Sequence, residues 1–417
     1  MTFAEITLLS RRFLPLWPIV ATFGRRALTL ALLIGASSAA ADDWQATIDE
    51  ARGTTVTLHA WGGSPAINSY FSWADEQLSA VHDIDLVHVR ITDTAEAVAQ
   101  VLAEKTAGRV TDGSIDLIWI NGENFAAMKA SDLISPPFVV TLPNASLVDW
   151  QGKPTTKIDF TVPTEGMEAP FGMAHFVFFY DSDAVPEPPV DIRALGDWID
   201  TNPGRFTYPA PPNFIGTSFL KQLLIDSVEA EEILQQPVDA TDPQTVTAPV
   251  WAWLERHHPQ FWRAGQSFPA SGPALHQMLD DGEVDFSMAF NPAEASNLIH
   301  EEKLPASVRS FMFEGGSLAN THFLTIPFNA PNADGAKVVI NFLLSPEAQA
   351  RKQDPRIWGD PTVLAVDALT EEDRQRFTDL PIGVATLPPE ALTPARLEPH
   401  PTWVTWLEAE WLKRFAS

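Results

Sequence analysis

The chain has 417 residues, 45% of them hydrophobic and 19% charged, a balance that supports sizeable packed cores and excludes wholesale disorder. Lys and Arg total 27 against 54 Asp and Glu, a formal charge of −27, so the basic footprint of a nucleic-acid binder or a polybasic membrane attachment is missing. No cysteine is present, which excludes disulfides, thiolate metal sites, a cysteine nucleophile and lipid attachment through an N-terminal Cys.

Residues 1–41 read as a cleaved export signal. Arg25 and Arg26 precede the apolar run from Ala27 to Ile34, and small residues end at Ala39-Ala40-Ala41, ahead of Asp42. The run is too short to span a bilayer comfortably. Arginine pairs at Arg11-Arg12 and Arg25-Arg26 leave both the Sec and the twin-arginine export routes open. Removing this segment makes the balance still more acidic. The mature chain is expected to be a soluble periplasmic monomer with no membrane insertion.

Thr54 to Trp61 is β-branched and apolar, the pattern of a buried strand. Gly62-Gly63 turns, Ser64 caps a helix with Pro65 at its first position, and Ile67, Phe71, Ala74 and Leu78 recur at helical spacing. Ile84 to Ile91 is a second strand, Thr92-Asp93-Thr94 opens a second helix, and Ser114 to Ile120 is a third strand. Strands alternating with helices predict parallel α/β packing. Phe171 to Tyr180 is long enough to link two lobes. Asp191 to Asp200 is helical, Phe206-Thr207-Tyr208 a short strand, and Gly216-Thr217-Ser218 starts another helix. Val284 to Phe290 is a strand, Thr321 to Phe328 a return crossing, and Ala333 to Leu344 a helix. Trp403, Trp406, Leu407, Trp411, Leu412 and Phe415 line one face of a C-terminal helix, the pattern of a core stripe.

Ligands of open parallel sheets bind beyond the carboxyl ends of the strands. The exits here are Trp61-Gly62-Gly63-Ser64, Trp119-Ile120-Asn121-Gly122-Glu123-Asn124 and Phe290-Asn291-Pro292-Ala293-Glu294, and a further loop holds Trp358-Gly359-Asp360. Each combines an aromatic plate, a turn residue and a polar or acidic group. The candidate ligand-binding residues are therefore Trp61, Gly62, Gly63, Ser64, Trp119, Asn121, Glu123, Asn124, Tyr208, Gly216, Thr217, Asn291, Glu294, Trp358 and Asp360. No cofactor or metal is called for.

The stretches Ala60–Asn68, Asp116–Phe125, Pro203–Pro209, Phe268–Pro273, Phe290–Ala295 and Ser345–Pro355 resemble the periplasmic solute-binding proteins of ABC transporters, type II class, YnjB-type branch. The resemblance runs over most of residues 50–365. It implies an α/β fold of two lobes, each a mixed, mostly parallel sheet flanked by helices, with a hinge of two crossing strands. Lobe one would hold residues 42–172, lobe two 173–320, and 321–417 would return to lobe one. The implied function is trapping a small solute between the lobes and delivering it to a membrane permease and its ATPase subunit. No Walker-type Gly-Lys-Ser/Thr loop is present, so ATP use belongs to another subunit.

Catalytic readings are weaker. Gly62-Gly63-Ser64-Pro65-Ala66 falls one residue short of a nucleophile elbow, and Pro65 lacks the N–H that an oxyanion hole needs. A secreted glycoside hydrolase using two of Glu123, Glu168 and Glu294 is the alternative function. Acidic groups beside Trp61, Trp119 and Trp358 favour an organic cation or zwitterion as solute. The helix starts at Ser64 and Gly216-Thr217-Ser218 would instead suit an anion.

Overall fold

The computed structural model describes residues 43–388, 391–392 and 394–416; the expected export signal lies outside them. The chain divides into two units, Met1–Ala46 and Thr47–Ser417. In the first, the described residues are helical. Everything below concerns the second.

Its first half follows the predicted alternation. Strand β1 (Thr55–Trp61) leads to helix α1 (Pro65–His82), β2 (Asp85–Ile91), α2 (Thr94–Thr106), β3 (Leu117–Ile120) and α3 (Glu123–Ala130). Ser64 caps α1 by accepting from the Ile67 N–H at 3.4 Å, and Pro65 sits at its first turn. Ile67, Tyr70, Phe71, Ala74 and Leu78 form the buried stripe, the 3.6-residue spacing of an amphipathic helix. Asp93 and Glu96 close a capping box on α2. β1 pairs in parallel with both β2 and β3, so all three strands end at the same sheet edge.

The chain then makes a small hairpin, β4 (Ile158–Asp159) and β5 (Val162–Pro163), and enters β6 (Glu168–His175) and β7 (Val177–Asp181). These two strands occupy the predicted linking run, and they separate at Phe176. β6 pairs antiparallel with β10 (Ser317–Thr325) over Glu168↔Thr325 to His175↔Ala319, inside a six-stranded sheet that also holds β3, β1, β2 and β11 (Ala395–Leu397). β7 instead forms the centre of a second sheet, between β8 (Phe286–Ala289) and β9 (Val308–Phe311). Both pairings there are antiparallel, so the mostly parallel expectation describes β1–β3 and not this sheet. Phe206-Thr207-Tyr208, expected as a strand, runs extended beside it, bonded through Arg205 O from the Asp285 N–H and Phe206 O from the Trp262 N–H.

Helices α4 (Ile192–Thr201), α5 (Phe214–Ser227), α6 (Pro243–His257), α7 (Gly272–Asp280) and α8 (Glu294–His300) come from the middle of the chain. α9 (Ala333–Leu343), α10 (Pro346–Gln353) and α11 (Glu371–Thr378) follow β10. The C-terminal helix α12 (Pro401–Phe415) places Trp403, Leu407 and Trp411 in the core around the second sheet, with Phe206, Tyr208 and Phe219. The tail from residue 321 therefore does not all return to the first sheet: β11 does, and α12 leaves it. The apolar stripe of α12 matches α5, against which it packs.

Three of the expected ligand contacts are buried in packed surroundings. Trp358 is buried among Tyr70, Phe71, Trp119, Phe171 and His322. Asp360, only 3% exposed, accepts from Lys352 Nζ and lies 3.0 Å from His322 Nε2. Burial opposes its charge, but His322 and Lys352 outweigh that and hold the carboxyl below its ordinary range. Tyr208 is likewise fully buried: the Trp411 Nε1–H donates to its hydroxyl at 2.7 Å, and His258 Nε2 lies 2.9 Å away.

Asp360→Asn should destabilise the fold by about 3–5 kcal/mol in urea unfolding, because it strands the buried Lys352 ammonium. Trp403, 0% exposed, should cost about 3–5 kcal/mol as Trp403→Ala. Val140, 88% exposed, should change stability by less than about 0.5 kcal/mol as Val140→Ala.

Candidate functional site

Three parallel strands deliver three turns to one edge. After β1, the Gly62 N–H donates to Ile91 O at 3.1 Å, and Asn68 Nδ2 donates to Gly62 O at 3.0 Å. Gly63 lies under the Trp61 ring, which a Cβ there would strike. Ser64 is spent as the α1 cap. After β2 comes the Asp93 cap. After β3, Gly122 adopts φ 62°, a conformation that favours glycine, and its N–H donates to Asp159 Oδ2 at 2.7 Å. That bond sets the start of α3, where Glu123 is half-buried and accepts from Asn124 Nδ2 at 3.2 Å. Trp61 and Asn121 are half-buried, and their side chains make no hydrogen bond to another described residue.

The opposing groups come from α5, β8, β10 and the tail. Helix α5 begins at Phe214 with Asn213 as its cap, two residues before the expected start. Gly216 and Thr217 thus lie within the first turns and are buried. A Cβ at Gly216 would collide with the Pro209 carbonyl, so this position serves close backbone packing. The Thr217 hydroxyl donates to Glu408 Oε1 on α12 at 2.8 Å. One turn on, Lys221 is 1% exposed and donates to Glu398 Oε2 at 2.7 Å, while Asn320 Nδ2 donates to Glu398 Oε1 at 2.8 Å. The Lys221 ammonium also sits over the rings of Phe160, Phe214 and Phe290, at 4.8, 5.4 and 5.8 Å. Rings from the β4–β5 hairpin, α5 and the β8 exit therefore converge on one cation.

Next to Phe290, Asn291 Nδ2 donates to Trp358 O at 3.0 Å and to Glu294 Oε2 at 3.3 Å, and its Oδ1 accepts from the Ala293 N–H. Gly359 lies close enough to Ala293 that a Cβ would clash. Trp358 packs on Trp119 with ring centroids 5.6 Å apart. A continuous path of contacts thus links Lys221, Phe290, Asn291, Trp358 and Trp119, two residues before Asn121. Beside it, Glu123, Glu408 and Lys221 act on one another electrostatically, whereas Asn291 and Trp358 tie two loops together.

The electrostatics are unbalanced. Burial pushes the Glu123 carboxyl up to about 7, with Glu408 and Glu398 adding to the rise and its own N–H and Lys221 opposing it. Burial also pushes Glu294 up to about 7, against the Asn291 bond. Asp159 and Glu168 rise well above the usual carboxylate range, first through burial and then through nearby acids. Asp159 Oδ1 and both Glu168 oxygens have no hydrogen-bond partner among the described residues. Carboxyls raised in this way are held toward the neutral form, and positive charge placed beside them favours their ionisation.

Sequence reasoning missed Lys221, Glu398, Glu408 and Asp159. Lys221 left one signal: a single cation inside Phe219-Leu220-Lys221-Gln222-Leu223-Leu224-Ile225, a helix buried nearly all round. No grouping of three or more metal-ligating side chains occurs among the described residues. No helix there is long and apolar enough to cross a membrane.

Comparison with known proteins accounts for this architecture. The chain is 43% identical to Protein YnjB of Escherichia coli (strain K12) over 377 residues, 90% of this chain and 95% of that protein. The fold is similar to that of the periplasmic binding protein AfuA from Actinobacillus pleuropneumoniae, solved with fructose-6-phosphate bound (TM-score 0.61, 11% identity, 87% of this chain and 99% of that one). It is similar also to the spermidine/putrescine ABC transporter substrate-binding protein PotD from Streptococcus pneumoniae (TM-score 0.57, 15% identity, 87% and 98%). Residues 73–370 match the family described as bacterial extracellular solute-binding protein, and the chain belongs to that family.

Proposed function

We propose that this extracellular solute-binding protein captures a small organic cation or zwitterion at the β1–β3 edge and delivers it to a membrane permease whose partner ATPase drives import. We further propose two lobes, one around each sheet, hinged at the β6–β7 and β9–β10 crossings. The observation that carries the charge assignment is the acid excess at the site: Lys221 is paired with Glu398, and Glu123, Asp159 and Glu408 add three further acids within its electrostatic reach. Burial holds these carboxyls toward the neutral form, and an entering cation favours their ionisation whereas an anion opposes it.

The case for an anion is weaker than the sequence suggested. Gly216-Thr217-Ser218 is not a free helix end, since α5 starts upstream and Asn213 caps it. The Ser64 hydroxyl likewise already accepts from the Ile67 N–H in the first turn of α1. A zwitterion remains compatible because the Lys221 ammonium has three donors and gives one to Glu398. The solutes named for the solved neighbours, a sugar phosphate and polyamines, are of opposite charge, so charge selection rests on local residues and not on the fold.

Calorimetric titration of a cationic solute should show Glu123→Gln weakening binding by about tenfold or more, without lowering the melting temperature of the free protein. Unchanged affinity would reject the role of Glu123. Affinity should also fall by up to about tenfold per pH unit below pH 7, as Glu123, facing Lys221, Glu398, Glu408 and Asp159, takes up its proton. Stability of the free protein should run the other way. A carboxyl raised on folding favours the folded state most below its ordinary pKa of 4.5, and that contribution is lost as pH rises towards about 7. In Glu123→Gln the melting-temperature profile across this window should be flatter.

A further inference from the structure

We propose that the pocket between α1, α10 and α11 is a second binding site, apart from the β1–β3 edge, and that Arg351 and Arg376 take a small oxyanion there, a carboxylate or a phosphate. Such a site is independent of the charge of the solute held at the edge.

Helix α10 carries two adjacent cations with different fates. Lys352 is buried and paired with Asp360. Arg351, about 100° away round the helix, lines an open pocket of about 230 Å³ with Trp73, Glu347, Asp354, Ile357 and Arg376. Its guanidinium carbon lies 4.6 Å from the centroid of the Trp73 ring. That ring is itself packed on Tyr70 and Phe342, with centroids 5.7 Å apart in each case. Arg351 makes no ion pair or hydrogen bond among the described residues, and its Nε–H is buried without a partner there. Arg376, on α11, makes no hydrogen bond among them either. Its ion pairs, with Asp373 at 3.4 Å and Glu372 at 3.8 Å, stay within its own helix.

A guanidinium stacked on an indole is held in position while its N–H edge stays free, and that planar fork matches the oxygens of a carboxylate or phosphate. A buried N–H left without an acceptor is costly, so what Arg351 lacks is an oxygen. The acids of the pocket do not supply it. Both Asp354 oxygens are spent on Arg356: Oδ1 accepts from its backbone N–H and its Nε–H, each at 2.9 Å, and Oδ2 from Nη2 at 2.6 Å. Glu347, four residues before Arg351 on α10, is exposed and makes no ion pair with it. Its charge opposes an entering anion, so its removal should favour one. Pockets for drug-sized ligands hold about 300–1,000 Å³, and this one is smaller, which restricts the occupant to a small molecule.

The test is calorimetry on the full mature chain with inorganic phosphate and with succinate, as sodium salts at one ionic strength, using sodium chloride as the blank. The wild type should give saturable heat with phosphate or succinate that chloride does not give. Arg351→Gln should weaken that binding by about tenfold or more, and Arg376→Gln by about threefold or more. Arg351→Lys, which keeps the charge but not the fork, should restore only part of the loss. Glu347→Gln should tighten binding by about twofold or more, a gain that a purely structural arginine would not produce. If Arg351→Gln does not fold, Arg376→Gln and Glu347→Gln decide the matter, and unchanged affinity in both overturns the proposal. Equal affinity in Arg351→Gln and wild type overturns it as well. So does a wild type that binds neither phosphate nor succinate above the chloride blank.

Discussion

The antiparallel pairing of β6 with β10 is the constraint on which the rest of the molecule depends. Seven residue pairs join the two strands, from Ala319↔His175 to Thr325↔Glu168, and the Phe176 N–H continues the ladder to Leu318 O at 2.8 Å. Beyond that point β6 passes into β7 and the second sheet, while β10 arrives from β9 of that sheet. β10 also pairs with β3, so the same strand aligns the Asn121–Glu123 exit with the crossing. Backbone bonds in a sheet interior hold register, and a one-residue slip would turn every side chain to the wrong face. The placement of Asn320 beside Glu398, and through it of Lys221, follows from that register.

Around this frame, charge is buried in two ways that should not be confused. Lys352, Asp360 and His322 form a cluster within packed rings, with opposite charges in contact and only His322 Nδ1 of the three side chains left without a hydrogen-bond partner among the described residues. Such a cluster is expensive to break. The Glu123 centre is different. Lys221 and Glu398 pair with each other, but Glu123, Glu408, Asp159 and Glu168 make no ion pair among the described residues, and Asp159 Oδ1 and both Glu168 oxygens have no hydrogen-bond partner there. A native interior rarely leaves such groups uncompensated, and the exceptions concentrate where binding occurs. This contrast separates Trp358 and Asp360, in their packed surroundings, from the residues of the proposed site.

Much of the frame was legible along the chain because it is encoded locally. Ser64-Pro65 and Asp93 cap their helices as their residue types require, and the Ile67, Phe71, Ala74 and Leu78 spacing marks the buried face of α1. Phe171 to Tyr180 reads as a link because it is long and apolar, although only the structure shows it splitting at Phe176. The site was less legible. Trp119 and Trp358 have the same composition around them as a ligand plate, yet they pack on each other and on Phe171. Tyr208 stands beside a proline in an exit-like loop, yet its hydroxyl is used by Trp411 and His258.

The amino-acid order by itself determined the strand–helix alternation, the caps, the turn glycines and the acidic exits, because each depends on residues within a few positions of one another. Only the tertiary structure decided which of those groups meet. Lys221 and Glu398 are 177 residues apart, and Thr217 and Glu408 are 191 apart. No local periodicity carries information over such separations. They are brought together by the register of β6 on β10 and by the apolar stripe of α12, which seats Trp403, Leu407 and Trp411 in the second core and sets Glu408 against Thr217.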